Sequence, residues 1–171
     1  ANRRNLQNDF YGETPASAHG NRLLARSLDM ITDQLDRNPF FLYTMENPVG
    51  DMQKHPQITS RLELPRKDGG LGASRCCVNY CLFGHNFGHN RSGSVFHKPT
   101  VFWTNCKAIV RTFGTDQDVP GAPSPQFLCS PDSPCGLKHK AVQGNTQEAT
   151  PFPHRLATML ALLINAEASS A

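Results

Sequence analysis

The run Thr44-Met45-Glu46-Asn47-Pro48-Val49-Gly50 places a carboxylate and a carboxamide at the end of an apolar segment, Phe40-Phe41-Leu42-Tyr43. A nearly continuous apolar run of this length reads as a strand buried on both faces, and Pro48 and Gly50 break it directly after the two polar residues. At the carboxyl end of a parallel strand, side chains project into the crevice where α/β proteins hold ligands. Glu46 is then placed to hold the edge of a base or to exchange a proton with it, and Asn47 stands beside it. Glu46 and Asn47 are the candidate catalytic residues. Taken alone, they read as an exposed strand-end carboxylate beside a routine turn.

A second chemistry is offered by six cysteines, at 76, 77, 81, 106, 129 and 135, and by seven histidines. Cys129, Cys135 and His139, with Cys106 as a fourth donor, lie on or near a stretch with too few apolar residues to fold by itself, which zinc could pin. Their spacing is looser than the Cys-x-x-Cys of a zinc ribbon, so unligated thiols or a single disulfide stand as the alternative. Cys81, His85 and His89 would align on a helix, but Gly84, Gly88, Asn86 and Asn90 oppose one, and the segment reads as a loop of solvated imidazoles. Cys76 and Cys77, in an apolar segment, read as small buried hydrophobes. Without a basic-then-apolar leader, the thiols are expected free in a reducing compartment, which makes the chain intracellular, nuclear or cytoplasmic.

The chain has 171 residues, enough for one domain with one core. Its net charge of +3 permits contact with nucleic acid without the clustered Lys and Arg of dedicated binders. No apolar run approaches the roughly 20 residues that span a bilayer. Thirteen Gly and thirteen Pro imply long irregular connections. The chain begins at Ala1, without Met, in a polar segment, and reads as a fragment, a processed product or one piece of a split protein.

These residues must be positioned by a short set of elements. Leu24, Leu28, Ile31 and Leu35 recur at helical spacing between Ser17, a candidate cap, and Asn38-Pro39, a stop. Phe40 to Glu46 follows as the first strand, and residues 51–63 as a weak helix interrupted by Pro56. Ala73 to Phe83 and Pro99 to Asn105 read as two more strands, able to pair as a hairpin around the polar loop Gly84 to Gly93. Residues 114–150 are rich in Gly, Pro, Ser and Asp and too long for an ordinary loop. Leu156, Met159, Leu160, Leu163 and Ile164 stripe a helix from Pro153 to Ala168. The expected division is 1–113 as a partial α/β domain, 114–150 as an irregular Cys-containing arm, and 151–171 as a helix packing back.

In order and spacing, three pieces resemble cytosine-5 DNA methyltransferase-like proteins of phage and mobile-element type: Glu46-Asn47-Pro48, the pattern Tyr80-Cys81…Gly84 with Lys98-Pro99-Thr100…Trp103-Thr104-Asn105, and the Cys-rich arm leading to Val142-Gln143-Gly144 and the helix start at Pro151 to Leu156. The resemblance covers about Ser17 to Leu163. It implies the second half of a doubly wound, Rossmann-like class I methyltransferase sheet ending in a reversed hairpin. It implies that Glu46 is the carboxylate that contacts a flipped cytosine, that S-adenosylmethionine is the methyl donor, and that DNA is the partner. His97, Lys98 and Arg91 become the candidate nucleic-acid contacts. The departures are as informative. No Cys precedes Cys76, so the family's nucleophile is missing, and Gly69-Gly70-Leu71-Gly72 opens no helix, so no cofactor-binding turn is legible. His97 and Val101 stand where relatives often carry Arg. The expectation is a carboxyl-terminal part that works only with another chain or segment supplying the amino-terminal half, or an inactive structural subunit derived from such an enzyme.

Overall fold

The computed structural model describes residues 14–83, 95–117, 119, 121–129, 135, 139–141 and 152–170. These fall into two compact units, one made of 14–43 with 50–73, the other of 44–49 with 74–170.

The first unit is led by helix α1, Pro15–Arg37. Its cap is Thr14 rather than Ser17. Thr14 Oγ1 accepts from the Ser17 amide at 3.1 Å, and Ser17 Oγ accepts from the Thr14 amide at 3.1 Å. This is a reciprocal capping box with Ser where Glu or Gln is usual, and Pro15 opens the first turn, where its missing N–H costs nothing. Leu24, Leu28 and Leu35 are buried on one stripe. Asn38 turns extended ahead of Pro39, as a residue before proline prefers. Its carbonyl and side-chain oxygens then accept from the Phe41 and Phe40 amides at 2.9 and 3.0 Å. That turn, with Phe40 75% exposed, delays the first strand to Thr44, four residues after its expected start.

The weak helix expected over 51–63 is two short turns instead, a 3-10 turn at Asp51–Lys54 and a π turn at Ile58–Leu62. Pro56 holds His55 extended between them. Ile58 and Leu62 are fully buried. His55 is buried too: its Nδ1 accepts from the Gln57 amide at 3.2 Å, so its Nε2 carries the hydrogen toward Asn21 Oδ1, also at 3.2 Å. Burial lowers the His55 pKa below the ordinary imidazole value.

The second unit is built on a three-stranded sheet of β1 (Thr44–Pro48), β2 (Ser74–Asn79) and β4 (Pro99–Thr104) in the order β1-β4-β2. Both pairings are antiparallel, Thr44 and Ser74 each lying opposite Thr104. The described sheet therefore differs from the parallel arrangement that the resemblance implies. Glu46 sits mid-strand in an edge strand, not beyond the end of a buried one. β1 tolerates Pro48 because the Val49 amide points at Pro99 O, 3.0 Å away, which turns the nitrogen of Pro48 away from β4. A separate parallel pair joins β3 (Val95–His97) to β5 (His139–Ala141).

Two helices complete this unit, α2 (Lys107–Phe113) and α3 (His154–Ala168). The sequence reading did not assign α2, whose seven residues are too few to show a period. An aromatic cluster covers one face of the sheet: Phe113 meets Phe102, Phe83 and Phe127 at centroid distances of 6.4, 6.0 and 5.2 Å, and Phe152 meets Phe102 at 6.1 Å. The two helices are tied by Glu167, whose Oε2 accepts from the Ala108 amide at 2.9 Å and so caps a helix start that has no side-chain cap of its own. Gly114 ends α2 at φ 76°, and a Cβ there would meet the backbone of Ser124.

Three outcomes follow from this packing. Phe113→Ala lowers unfolding stability by about 3–5 kcal/mol in urea melts. Gly114→Ala costs on the order of 1–3 kcal/mol, from the left-handed backbone and the close approach together. For His55 the unfolded chain takes up a proton more readily than the folded one. Stability is then full above the ordinary imidazole value of about 6.5 and falls as pH drops below it, and His55→Gln flattens that acid limb in melts run from neutral to mildly acidic pH.

Candidate metal centre

The strand expected over Ala73 to Phe83 stops at Asn79, and Tyr80–Phe83 form a 3-10 turn. That turn takes Cys81 out of the sheet. Beyond α2 the chain returns to the same end of β2. Val78 and Phe127 form a parallel bridge, and the Asn79 amide donates to Phe127 O at 2.8 Å. The buried Asn79 side chain completes the clamp, its Oδ1 accepting from the Cys129 amide at 3.0 Å. Cys129 is thereby held beside Cys81. His139 opens β5, and its backbone is registered against Val95 of β3.

The result is a cluster of Cys81, Cys129, Cys135 and His139 whose ligand atoms all lie within 4.8 Å of one another. Cys135 Sγ is 3.2 Å from His139 Nε2, and Cys129 Sγ is 3.6 Å from it. A tetrahedral zinc site, with bonds of about 2.3 Å to sulfur and about 2.0 Å to nitrogen, separates its donors by roughly 3.5–3.8 Å. The cluster is within about 1 Å of that spacing, a distance that small side-chain rotations cover. Cys81 and Cys129 are buried, while Cys135 and His139 are half-buried, so the site is shielded yet reachable. Burial pushes the Cys81 thiol well above its usual range, and the adjacent sulfurs of Cys129 and Cys135 push it further. A buried Cys81 thiol crowded by two further sulfurs is a donor that a cation would relieve, because its charge favours the thiolate. This Cys3His cluster could hold a metal ion.

Three of the four donors, Cys129, Cys135 and His139, are those singled out from the sequence. The fourth is Cys81, not Cys106. Cys106 is fully buried just before α2, its amide donating to Thr104 Oγ1 at 3.1 Å and its thiol facing Leu163 O at 3.9 Å. Sequence reasoning missed Cys81 because it extended the strand through Phe83. Gly84 was the available sign that the segment turns. His85 and His89 lie outside the described residues.

The candidate catalytic and nucleic-acid residues separate. Glu46 and Asn47 alternate along β1, so they project to opposite faces: Glu46 shares its face with Phe102, Asn47 with Val101. Asn47 Nδ2 donates to Pro48 O at 2.8 Å. Glu46 Oε1 accepts from the Tyr80 hydroxyl at 2.9 Å, and Lys98 Nζ lies 4.7 Å from the centre of the Tyr80 ring. Burial raises the Tyr80 pKa, and the hydrogen bond to Glu46 raises it further, so the phenol stays a neutral donor. Burial lowers the Lys98 pKa, against the pull of Glu46. Arg91 lies outside the described residues, and so does the side chain of His97.

Comparison with protein-family models, with curated proteins and with solved structures found no match to this chain.

The geometry separates the two candidate fourth ligands. Cys81→Ser lowers zinc affinity by more than about 100-fold, above the 10–100-fold typical of merely supporting residues. Cys106→Ser leaves affinity unchanged, as competition with a chromogenic chelator will read.

Proposed function

We propose that this chain is a zinc-organised structural and interaction module. Cys81, Cys129, Cys135 and His139 hold one Zn2+, which fixes the irregular arm to the end of β2. The observation that carries this reading is the convergence of three thiols and one imidazole within 4.8 Å, with Cys81 coming from a turn distant in sequence from the segment that carries the other three. Soft thiolates with one imidazole suit zinc over the oxygen-seeking cations. Four protein ligands also leave no position for a water or a substrate, the pattern of structural rather than catalytic zinc. The gain is folding energy for a segment with few apolar residues, and a reducing, intracellular compartment keeps the thiols available. The range of partners for such a module is set by its exposed surface, on which Leu128 and Phe152 are 47% and 39% exposed.

One observation favours a second reading. Glu46, Tyr80 and Lys98 come from two of the three pieces that carry the methyltransferase resemblance, and their side chains meet in one polar cluster. In this reading the chain is the carboxyl-terminal part of a DNA cytosine-5 methyltransferase-like protein, with Glu46 holding the base and with the S-adenosylmethionine site supplied by another segment or chain.

Two measurements decide. Metal analysis of protein purified without added chelator gives one zinc per chain, cobalt exchange gives the absorption of a tetrahedral thiolate site, and chelation lowers the unfolding temperature; a chain that takes up no metal defeats the first reading. Calorimetric titration with S-adenosylmethionine shows no tight binding by these 171 residues alone. Under the second reading, binding appears only when a segment or chain carrying a cofactor site is supplied, and Glu46→Gln then abolishes methyl transfer without changing zinc content.

A further inference from the structure

We infer that the metal centre positions Tyr80 on Glu46, so that the polar cluster around Glu46 forms only when the metal site is filled. This rests on the zinc reading above. Tyr80 and Cys81 are consecutive residues of one 3-10 turn. Cys81 supplies a metal donor, and Tyr80 supplies the hydroxyl that holds Glu46 at 2.9 Å. The turn is gripped at both ends by the arm that the metal organises. Before it, Asn79 is clamped to Phe127 and Cys129 by hydrogen bonds of 2.8 and 3.0 Å. At its last residue, Phe83 stacks on Phe127 at a centroid distance of 5.3 Å. The Tyr80 amide donates to Lys98 O at 3.2 Å, so the same residue also sets the backbone from which Lys98 reaches the Tyr80 ring.

The physical coupling is short. With the metal bound, Cys81 and Cys129 share one ion, and the Asn79 clamp between them is closed. With the metal removed, three crowded thiols no longer attract one another through a shared cation, and the arm is left to a few hydrogen bonds. A 3-10 turn has poor internal hydrogen-bond geometry and does not persist on its own. Tyr80 then loses its fixed bearing, and Glu46 loses the hydrogen bond from the Tyr80 hydroxyl.

Hydrogen exchange on the whole chain, zinc-loaded and zinc-stripped, tests this. The expected result is that stripping speeds exchange at least about tenfold at the amides of both Cys129 and Tyr80, while the central β4 amides keep their protection. Zinc-loaded protein in which Cys129 opens on stripping but Tyr80 stays protected overturns this inference and leaves the zinc reading intact. A chain that binds no zinc overturns both. Linkage supplies a second readout, because coupling between two sites is reciprocal. Tyr80→Phe, which keeps the ring, lowers zinc affinity about three- to tenfold, while Tyr43→Phe in the other unit leaves it unchanged; equal affinities for Tyr80→Phe and the parent chain overturn the coupling.

Discussion

Strand β4 is the constraint on which the second unit depends. Val101, Phe102, Trp103 and Thr104 are all fully buried, so both faces of the strand are covered. Both of its edges are occupied, by β1 and by β2. A central strand of this kind has no freedom to slip, because a shift of one residue would exchange its entire set of buried side chains between faces. Register on β4 therefore fixes which residues of its neighbours reach which face. It sets Glu46 on the face of the aromatic cluster, and it sets the end of β2, where the chain turns toward the arm.

From that fixed end the site is built by backbone first and side chains second. The parallel bridge at Phe127 and the Asn79 carboxamide set Cys129 beside Cys81. Asn suits this place because it is buried and a carboxamide offers an acceptor to the Cys129 amide without carrying a charge out of water. A metal ion bound there would have four donors within 4.8 Å of one another to join. Two hydrogen bonds to the end of β2 place this stretch of the arm where its own apolar content is too low to form a core.

How far the sequence reveals this varies by element, and the reasons are physical. α1 and α3 are legible because their apolar stripes repeat over several turns. α2 is not, because seven residues give Ile109, Val110 and Phe113 no chance to repeat. The strands are legible as apolar runs, but their ends are not: Asn38 makes a turn that delays β1, and Tyr80 begins a turn that shortens β2, and neither is visible in hydrophobicity. The hairpin pairing of β2 with β4 was legible in the residues and is antiparallel in the described sheet, whereas the parallel setting read for β1 from its continuous apolar run and from the resemblance is replaced by an antiparallel one. Among the metal donors, Cys129, Cys135 and His139 stand close enough together in sequence to suggest a site. Cys81 lies 48 residues before Cys129, and only the fold brings the two together. Tyr80 as the partner of Glu46 was hidden for the same reason.

Pro48 in the edge strand has a consequence for how copies of this protein meet. An outermost strand ordinarily offers an unbroken ladder of amides onto which a stray chain can zip, the route by which sheets grow into fibres. Here the ring nitrogen of Pro48 points to the outward side and has no hydrogen to give, and Glu46, two residues earlier, would set like charges near each other in a symmetric antiparallel encounter. The sheet carries its own stop against uncontrolled growth, built into the same short run of residues that first suggested chemistry.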